Sequence, residues 1–305
     1  MSTRGSDRVA VSEEMFAPVS PGIELCYQTF GDPGDDPLLL VMGLGGPMTW
    51  WDPELCEQLA ARGFFVVRYD NRDAGRSTHL SGRVRRSTLL RAFAGRGGRP
   101  PYKLSDMAAD AIGLLDHLGI ERAHVAGVSM GGMIAQTLAI EHADRVRSLT
   151  SIMSTTGKRT VGWQNPKLLP MLIAPRGPSR EAYAMTSARM WQLIGSPDYP
   201  QDPERQRARA QETWDRGFDA NGVMRQMLAI LNQPNRAARL RGLRIPATVL
   251  HGLDDQMVHV SGGRATATAI PGAELVLVPG MGHDLPPQLF EEFVDVIRRT
   301  ADRAR

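Results

Sequence analysis

The chain has 305 residues, 42% of them hydrophobic and 23% charged, with a net charge of +3. That composition is globular and gives apolar material for a sizeable core. The mild positive excess points to no nucleic-acid partner, and the longest apolar runs, such as 37–42, are far too short to cross a membrane.

Residues 1–20 are mixed in character and include Asp7, Glu13 and Glu14. They lack the charged, then apolar, then small-residue order of a secretory signal. The expectation is a flexible leader on a cytoplasmic protein. Ile23 to Phe30 reads as a strand that stops at the turn Gly31-Asp32-Pro33-Gly34. Residues 38–42 form a buried strand. Asp52-Pro53 opens a helix, with the aspartate as N-cap and the proline in the first turn. Residues 64–69 are the next strand. Ser105 is expected to cap a helix striped by Met107, Ile112, Leu114, Leu115 and Leu118, which Gly119 ends. A short apolar strand at 123–126 precedes a helical segment at 133–140. Further strands are read at 146–153, 247–251 and 274–278, and a helix from about 288 to 303 follows. Strands alternating with helices predict an α/β fold, a mostly parallel sheet with helices on both faces.

The stretch 155–244 breaks that rhythm. It shows no strand pattern but offers helical material with Met171, Met185, Met190, Trp191, Trp214, Met224 and Met227. It reads as a helical cap inserted into a core formed by 21–154 and 245–305. Most of these side chains are expected to pack on one another. Some are expected to line an apolar pocket for an acyl or ring group, a use to which adaptable methionines are suited. Cys26 and Cys56 have no metal or redox spacing and read as buried free thiols.

The densest chemical signal is Gly127-Val128-Ser129-Met130-Gly131, a G-x-S-x-G motif between the strand at 123–126 and the helix that follows. A serine on a sharp strand-to-helix turn has its hydroxyl thrust above the sheet. Side chains at 127 or 131 would crowd the turn or the neighbouring strand. The serine itself must accept an unfavourable φ.

A serine hydroxyl needs a base to take its proton. Of seven histidines, His283 sits in the loop after the last strand, on the rim where the nucleophile turn lies. His124 and His142 read as structural or surface residues, and His117 as a surface residue. His79, His251 and His259 are less easily dismissed; His251, on its strand, reads as packing or hydrogen bonding. The base needs a carboxylate partner. The loop Gly252-Leu253-Asp254-Asp255 supplies two adjacent candidates. An oxyanion needs N–H donors. Met130, directly after the serine, and Leu44, in the loop Gly43-Leu44-Gly45-Gly46, are the expected backbone donors.

Taken together, Leu40-Val41-Met42-Gly43, the run from Arg68 through Asp70-Asn71-Arg72-Asp73 to Ser77, Val128-Ser129-Met130-Gly131-Gly132 and Pro279-Gly280-Met281-Gly282-His283 resemble the α/β-hydrolase superfamily. Within it the chain resembles bacterial esterases and lipases of the aclacinomycin methylesterase type. The resemblance implies the order serine, aspartate, histidine. Its G-x-x-D pattern puts the acid at Asp255, with Asp254 serving the turn. It implies a serine hydrolase of carboxylic esters that needs neither metal nor organic cofactor. Thioesterase, phospholipase or carbon–carbon bond hydrolase activity would use the same Ser129-His283-Asp255 triad, and some members are non-catalytic ligand receptors. Dehalogenase and epoxide-hydrolase relatives carry an aspartate where this chain has Ser129. Many relatives also carry His-Gly before the oxyanion loop. Met42 replaces that histidine here, so support of the loop is expected to differ. The 70–77 segment is expected to be structural.

From Arg76 to Lys103 there is no acidic residue, and Arg83, Arg85, Arg86, Arg91, Arg96 and Arg99 cluster there with Leu89, Leu90 and Phe93 between them. Such a run is ordinarily a solvated face. Its sharper reading is weak contact with a lipid surface or an anionic ester. Oligomeric state is left open by the sequence.

Overall fold

The computed structural model describes residues 9–168, 177 and 179–304. Its centre is an eight-stranded sheet in the order β1-β2-β4-β3-β5-β6-β7-β8. The strands are β1 (Met15–Ser20), β2 (Ile23–Phe30), β3 (Asp36–Val41), β4 (Phe64–Tyr69), β5 (Ala123–Val128), β6 (Val146–Ile152), β7 (Ala247–Gly252) and β8 (Glu274–Val278). β1 and β2 pair antiparallel, as do β2 and β4; every other pairing is parallel. The expected α/β architecture is therefore present.

Side-chain alternation divides the core into two faces. Leu39 and Val41 of β3 meet the layer formed by α3 (Leu104–His117) and α4 (Met130–Glu141). Leu38 and Leu40 meet α1 (Pro53–Ala61) and the C-terminal helix 290–302 on the other face. α4 is buried along its whole length from Met130 to Ala139, which explains its lack of a polar stripe. Helix 290–302 does the opposite. Phe293, Val296, Ile297 and Ala301 face the sheet while Glu291, Glu292 and Arg299 face water.

The leader expectation needs correction over residues 9–20; residues 1–8 lie outside the described residues. Residues 15–20 are a strand, and before them Val11 bridges Phe30 while Ser12 N–H donates to Thr29 O at 3.0 Å. Only Ala17 of β1 is buried, because an edge strand covered on one face shows little alternation to read. Helix starts also differ. Asp52 caps α1 as expected, but α3 starts at Leu104. There the Asp106 carboxylate accepts from Lys103 N–H at 2.7 Å, so Ser105 is not the cap. The C-terminal helix starts at Phe290 after a single tight turn at 287–289.

Between β4 and β5 lie α2 (Arg86–Phe93) and α3. Between β6 and β7 lie α5 (Arg180–Ile194), α6 (Pro203–Asp215), α7 (Ala220–Leu231) and the short α8 (Ala237–Leu240). Helix α9 (Ser261–Ala269) follows β7, and the C-terminal helix 290–302 is α10. Leu240 and Leu243 belong to the core cluster on the α3–α4 face, whereas α5 and α6 pack against each other. Both cysteines are buried and free, and burial pushes both thiols up to about 12. Among the described residues no helix is long and apolar enough to cross a membrane.

Candidate active site

Ser129 sits between β5 and α4 with φ 56° and ψ −116°, a left-handed backbone that a non-glycine residue adopts only under constraint. Three contacts impose it. Ser129 N–H donates to Ile152 O at 2.9 Å, Ser154 Oγ donates to Ser129 O at 2.8 Å, and Met133 N–H donates to the same carbonyl at 3.1 Å. The turn is tight enough to exclude side chains. A Cβ on Gly131 would lie 2.0 Å from Val41 O, and one on Gly127 would lie 2.2 Å from Gly131 O. The crowding expected of both positions is thus met by backbone, which cannot give way.

His283 comes from the loop after β8 and Asp255 from the loop after β7. These loops touch closely: a Cβ on Gly252 would meet Met281 O at 2.1 Å. His283 Nδ1 is 2.7 Å from Asp255 Oδ2, and His283 Nε2 is 3.0 Å from Ser129 Oγ. A carboxylate can only accept, so Nδ1 carries the proton and Nε2 is left to accept from the serine hydroxyl. The His283 backbone N–H is fixed on Ile194 O at 2.6 Å.

Asp255 is fully partnered. Its Oδ1 accepts from Met257 and Val258 N–H, each at 2.8 Å. His251 Nε2 lies 3.4 Å from Oδ2 and 2.7 Å from Val258 O. Burial alone would raise the Asp255 pKa. The imidazoles of His283 and His251, by charge and hydrogen bond together, outweigh it and hold the carboxyl at about 2. Asp254 points elsewhere and accepts from Gly280 N–H at 2.9 Å. Of the two adjacent candidates, then, the structure brings Asp255 to the histidine.

The loop 43–46 packs beside the serine: a Cβ on Gly43 would come within 3.4 Å of Ser129 Cβ. Side chains from elsewhere along the chain support it. Asn71 Nδ2 donates to Met42 O at 3.0 Å, and Gly45 N–H donates to Gln226 Oε1 of α7 at 2.8 Å. Gln226 Nε2 in turn donates to Arg72 O at 2.8 Å. Neither Gln226 nor Ser154 was legible as a site residue, because each acts through a contact far along the chain.

The 70–77 segment is a buttress. Asp70 accepts from Met48 N–H at 2.6 Å, Arg76 N–H at 2.8 Å and Arg216 at 2.8 Å. Asp73, at φ 67°, binds Tyr102 and Arg225 at 2.7–2.8 Å. His79 and Asp219 approach Asp73, but Arg225 bridges the two carboxylates and the His79 ring meets Gly75 O at 2.9 Å.

A largely apolar cavity opens above Ser129. Leu44, Trp50, Met190, Trp191, Met227 and Met257 are among the residues that line it. Of the seven side chains singled out in 155–244, Met190, Trp191 and Met227 line it. Met185 is exposed, Trp214 packs on Tyr183 and Phe218, and Met224 packs beside Leu89 and Leu228. Met171 lies outside the described residues.

A strained serine at a strand–helix turn, a histidine and an aspartate on two later strand ends, and helices over the opening define a hydrolase-type α/β site. Residues 36–287 match the model of the alpha/beta hydrolase fold, and the chain belongs to that family. It is similar to the rhodomycin D methylesterase DnrP of Streptomyces peucetius, 28% identical over 90% of this chain and 94% of that protein. It is 30% identical to a putative carbamate hydrolase, RutD, of Caulobacter sp. strain K31, over 85% of this chain and 88% of that one. The likeness to methylesterase-type members read from the motifs therefore extends along nearly the whole sequence. Among solved structures, the enol-lactonase of Burkholderia xenovorans LB400 shares the fold. Its TM-score is 0.74 at 23% identity, over 94% of this chain and all of that one.

Proposed function

We propose that this protein is a serine hydrolase that cleaves carboxylic esters through an acyl-enzyme. The observation that carries the reading is the relay of 3.0 Å and 2.7 Å contacts from Ser129 through His283 to Asp255. It lies at the wall of an apolar cavity. Ser129 Oγ attacks the ester carbonyl as His283 Nε2 takes its proton. Asp255 stabilises the imidazolium that forms. The charge developing on the carbonyl oxygen is met by the backbone N–H groups of Met130 and Leu44. Met130 opens α4, where N–H groups have no partner within the helix. Leu44 lies in the loop held by Asn71 and Gln226. His283 then hands its proton to the leaving alcohol. Water, deprotonated by the same nitrogen, attacks the acyl group and releases the acid and the free serine. Nothing in this sequence of steps calls for a metal or organic cofactor.

The cavity favours a small-molecule ester with an apolar acyl or ring group. Rhodomycin D methylesterase, by its name, acts on a methyl ester, which agrees with this class. Helices α5 to α7, within 155–244, are proposed to act as the cap that selects the substrate. The arginine-rich stretch offers less. α2 uses its apolar face, Leu89 and Ala92, against Leu228 of α7, which leaves Leu90 and the arginines for weak contact with an anionic lipid surface.

The test is covalent labelling with a fluorophosphonate alongside turnover of p-nitrophenyl esters, acyl-thioesters and vinylogous diketones. Esters are expected to turn over fastest. Ser129→Ala is expected to abolish labelling and to lower kcat by at least about four orders of magnitude. Folded wild-type protein that neither labels nor turns over any ester would sink the proposal.

A further inference from the structure

Among the described residues the buried arginines have partners, whereas the guanidinium of the half-buried Arg209 does not. Arg68, Arg72, Arg216, Arg225, Arg236 and Arg298 each donate to at least one acceptor in the protein. Arg209, on α6, lines the cavity, and among the described residues its guanidinium donates to none. Its Nη2 is sealed from water without an acceptor, and so is Ser187 Oγ on α5, which borders the same cavity. Burial pulls the Arg209 pKa below the ordinary arginine range.

Two tryptophans hold the charge. Arg209 Cζ lies 4.8 Å from the Trp191 ring centroid and 5.8 Å from that of Trp50. These contacts engage the guanidinium through ring faces. They leave Nη2 without an acceptor, because the N–H donors lie in the guanidinium plane and need an oxygen. The other polar groups nearby are occupied. Thr213 Oγ accepts from Trp50 Nε1 at 2.9 Å and donates to Arg209 O at 2.8 Å. Asp284 is bound by Ser196 and Gln201.

We infer that Arg209 determines specificity by binding an oxygen acceptor, a carbonyl or a carboxylate, on the part of the ester that does not react. The inference rests on the ester-hydrolase reading and deepens it. The substrate is an apolar body, the reacting ester at one end and an acceptor oxygen at the other. Which oxygen binds better depends on Asp284, which borders the same cavity. Its negative charge favours a neutral carbonyl, whereas its neutral form admits a carboxylate.

The experiment compares methyl esters in matched sets whose far end carries a methylene, a ketone or a carboxylate, over several spacer lengths. Wild type is expected to favour one oxygenated member over its methylene counterpart by about tenfold or more in kcat/KM. In Arg209→Met that ratio falls to near one. Arg209→Lys, which keeps charge but not the planar fork, retains part of it. The inference is overturned if no oxygenated ester is preferred at any length, or if Arg209→Met keeps the same ratio. Two controls keep this separate from the catalytic reading. Phenyl acetate turnover reports the triad without the distal contact. Quenching of tryptophan fluorescence by the ketone and carboxylate compounds in Ser129→Ala reports binding even where no ester is cleaved.

Discussion

At the strand ends, Ser129, His283 and Asp255 are held by short contacts, and Asp255 meets donors on both its oxygens. Across the cavity, on α5 and α6, Arg209 and Ser187 carry buried polar atoms with no partner in the protein. The first region is preorganised. Its dipoles are fixed before anything binds, which is what stabilising a developing charge requires. On the proposed reading the second region leaves donors to be met by the substrate, so that the sheet supplies the reaction and the inserted helices supply selection.

The largest expected effect breaks the preorganised side. Asp255→Asn keeps the shape but presents an N–H₂ or a neutral oxygen to His283 Nδ1, which favours the wrong tautomer. The expected loss in kcat is about 10⁴-fold, with little change in KM. Steady-state kinetics on a short p-nitrophenyl ester check it. A loss below tenfold would mean that His283 is oriented by some other group.

The buttress beside the 43–46 loop comes next. Arg225 pairs with Asp73 and Asp219, and its removal leaves the fully buried Asp73 carboxylate without its cation. Arg225→Met is expected to cost about 3–5 kcal/mol in urea unfolding. Arg216, which joins Asp70 to Glu14, plays the same part for the neighbouring turn.

Acid separates the two regions more gently. The Asp255 pKa is held at about 2, below its ordinary 3.8. A depressed carboxyl stabilises the fold fully above its unfolded pKa and loses that contribution as pH falls through the folded one. The window therefore runs from about pH 4 down to about 2, and the contribution is on the order of 2 kcal/mol. Denaturant unfolding across that window should slope more steeply for wild type than for Asp255→Asn. Equal slopes would remove Asp255 as the source.

The smallest effect belongs to the exposed arginines. Arg85→Gln with Arg86→Gln is expected to leave stability within about 0.5 kcal/mol. It should weaken only the salt-dependent part of turnover on anionic or lipid-borne esters. A large loss on neutral, soluble esters would move this stretch from the surface into the site.

The sequence by itself determined the alternation of strands and helices, the Ser129 turn and the loop positions of Asp255 and His283. These are local properties. Apolar periodicity, a glycine two residues either side of a serine, and a loop after a strand are all set by neighbouring residues. The β1 strand escaped notice because an edge strand buries only one residue deeply. Tertiary structure brought Asp255, the acid that the resemblance implies, and not its neighbour Asp254 to His283, where the β7 and β8 loops meet. It also decided that Gln226 and Asn71 brace the 43–46 loop. Finally, it set which side chains of 155–244 reach the cavity. Met185 and Met190 are spaced along one helix, yet one faces water and the other the cavity. That choice depends on how α5, α6 and α7 dock, and docking is fixed by contacts between residues far apart in sequence.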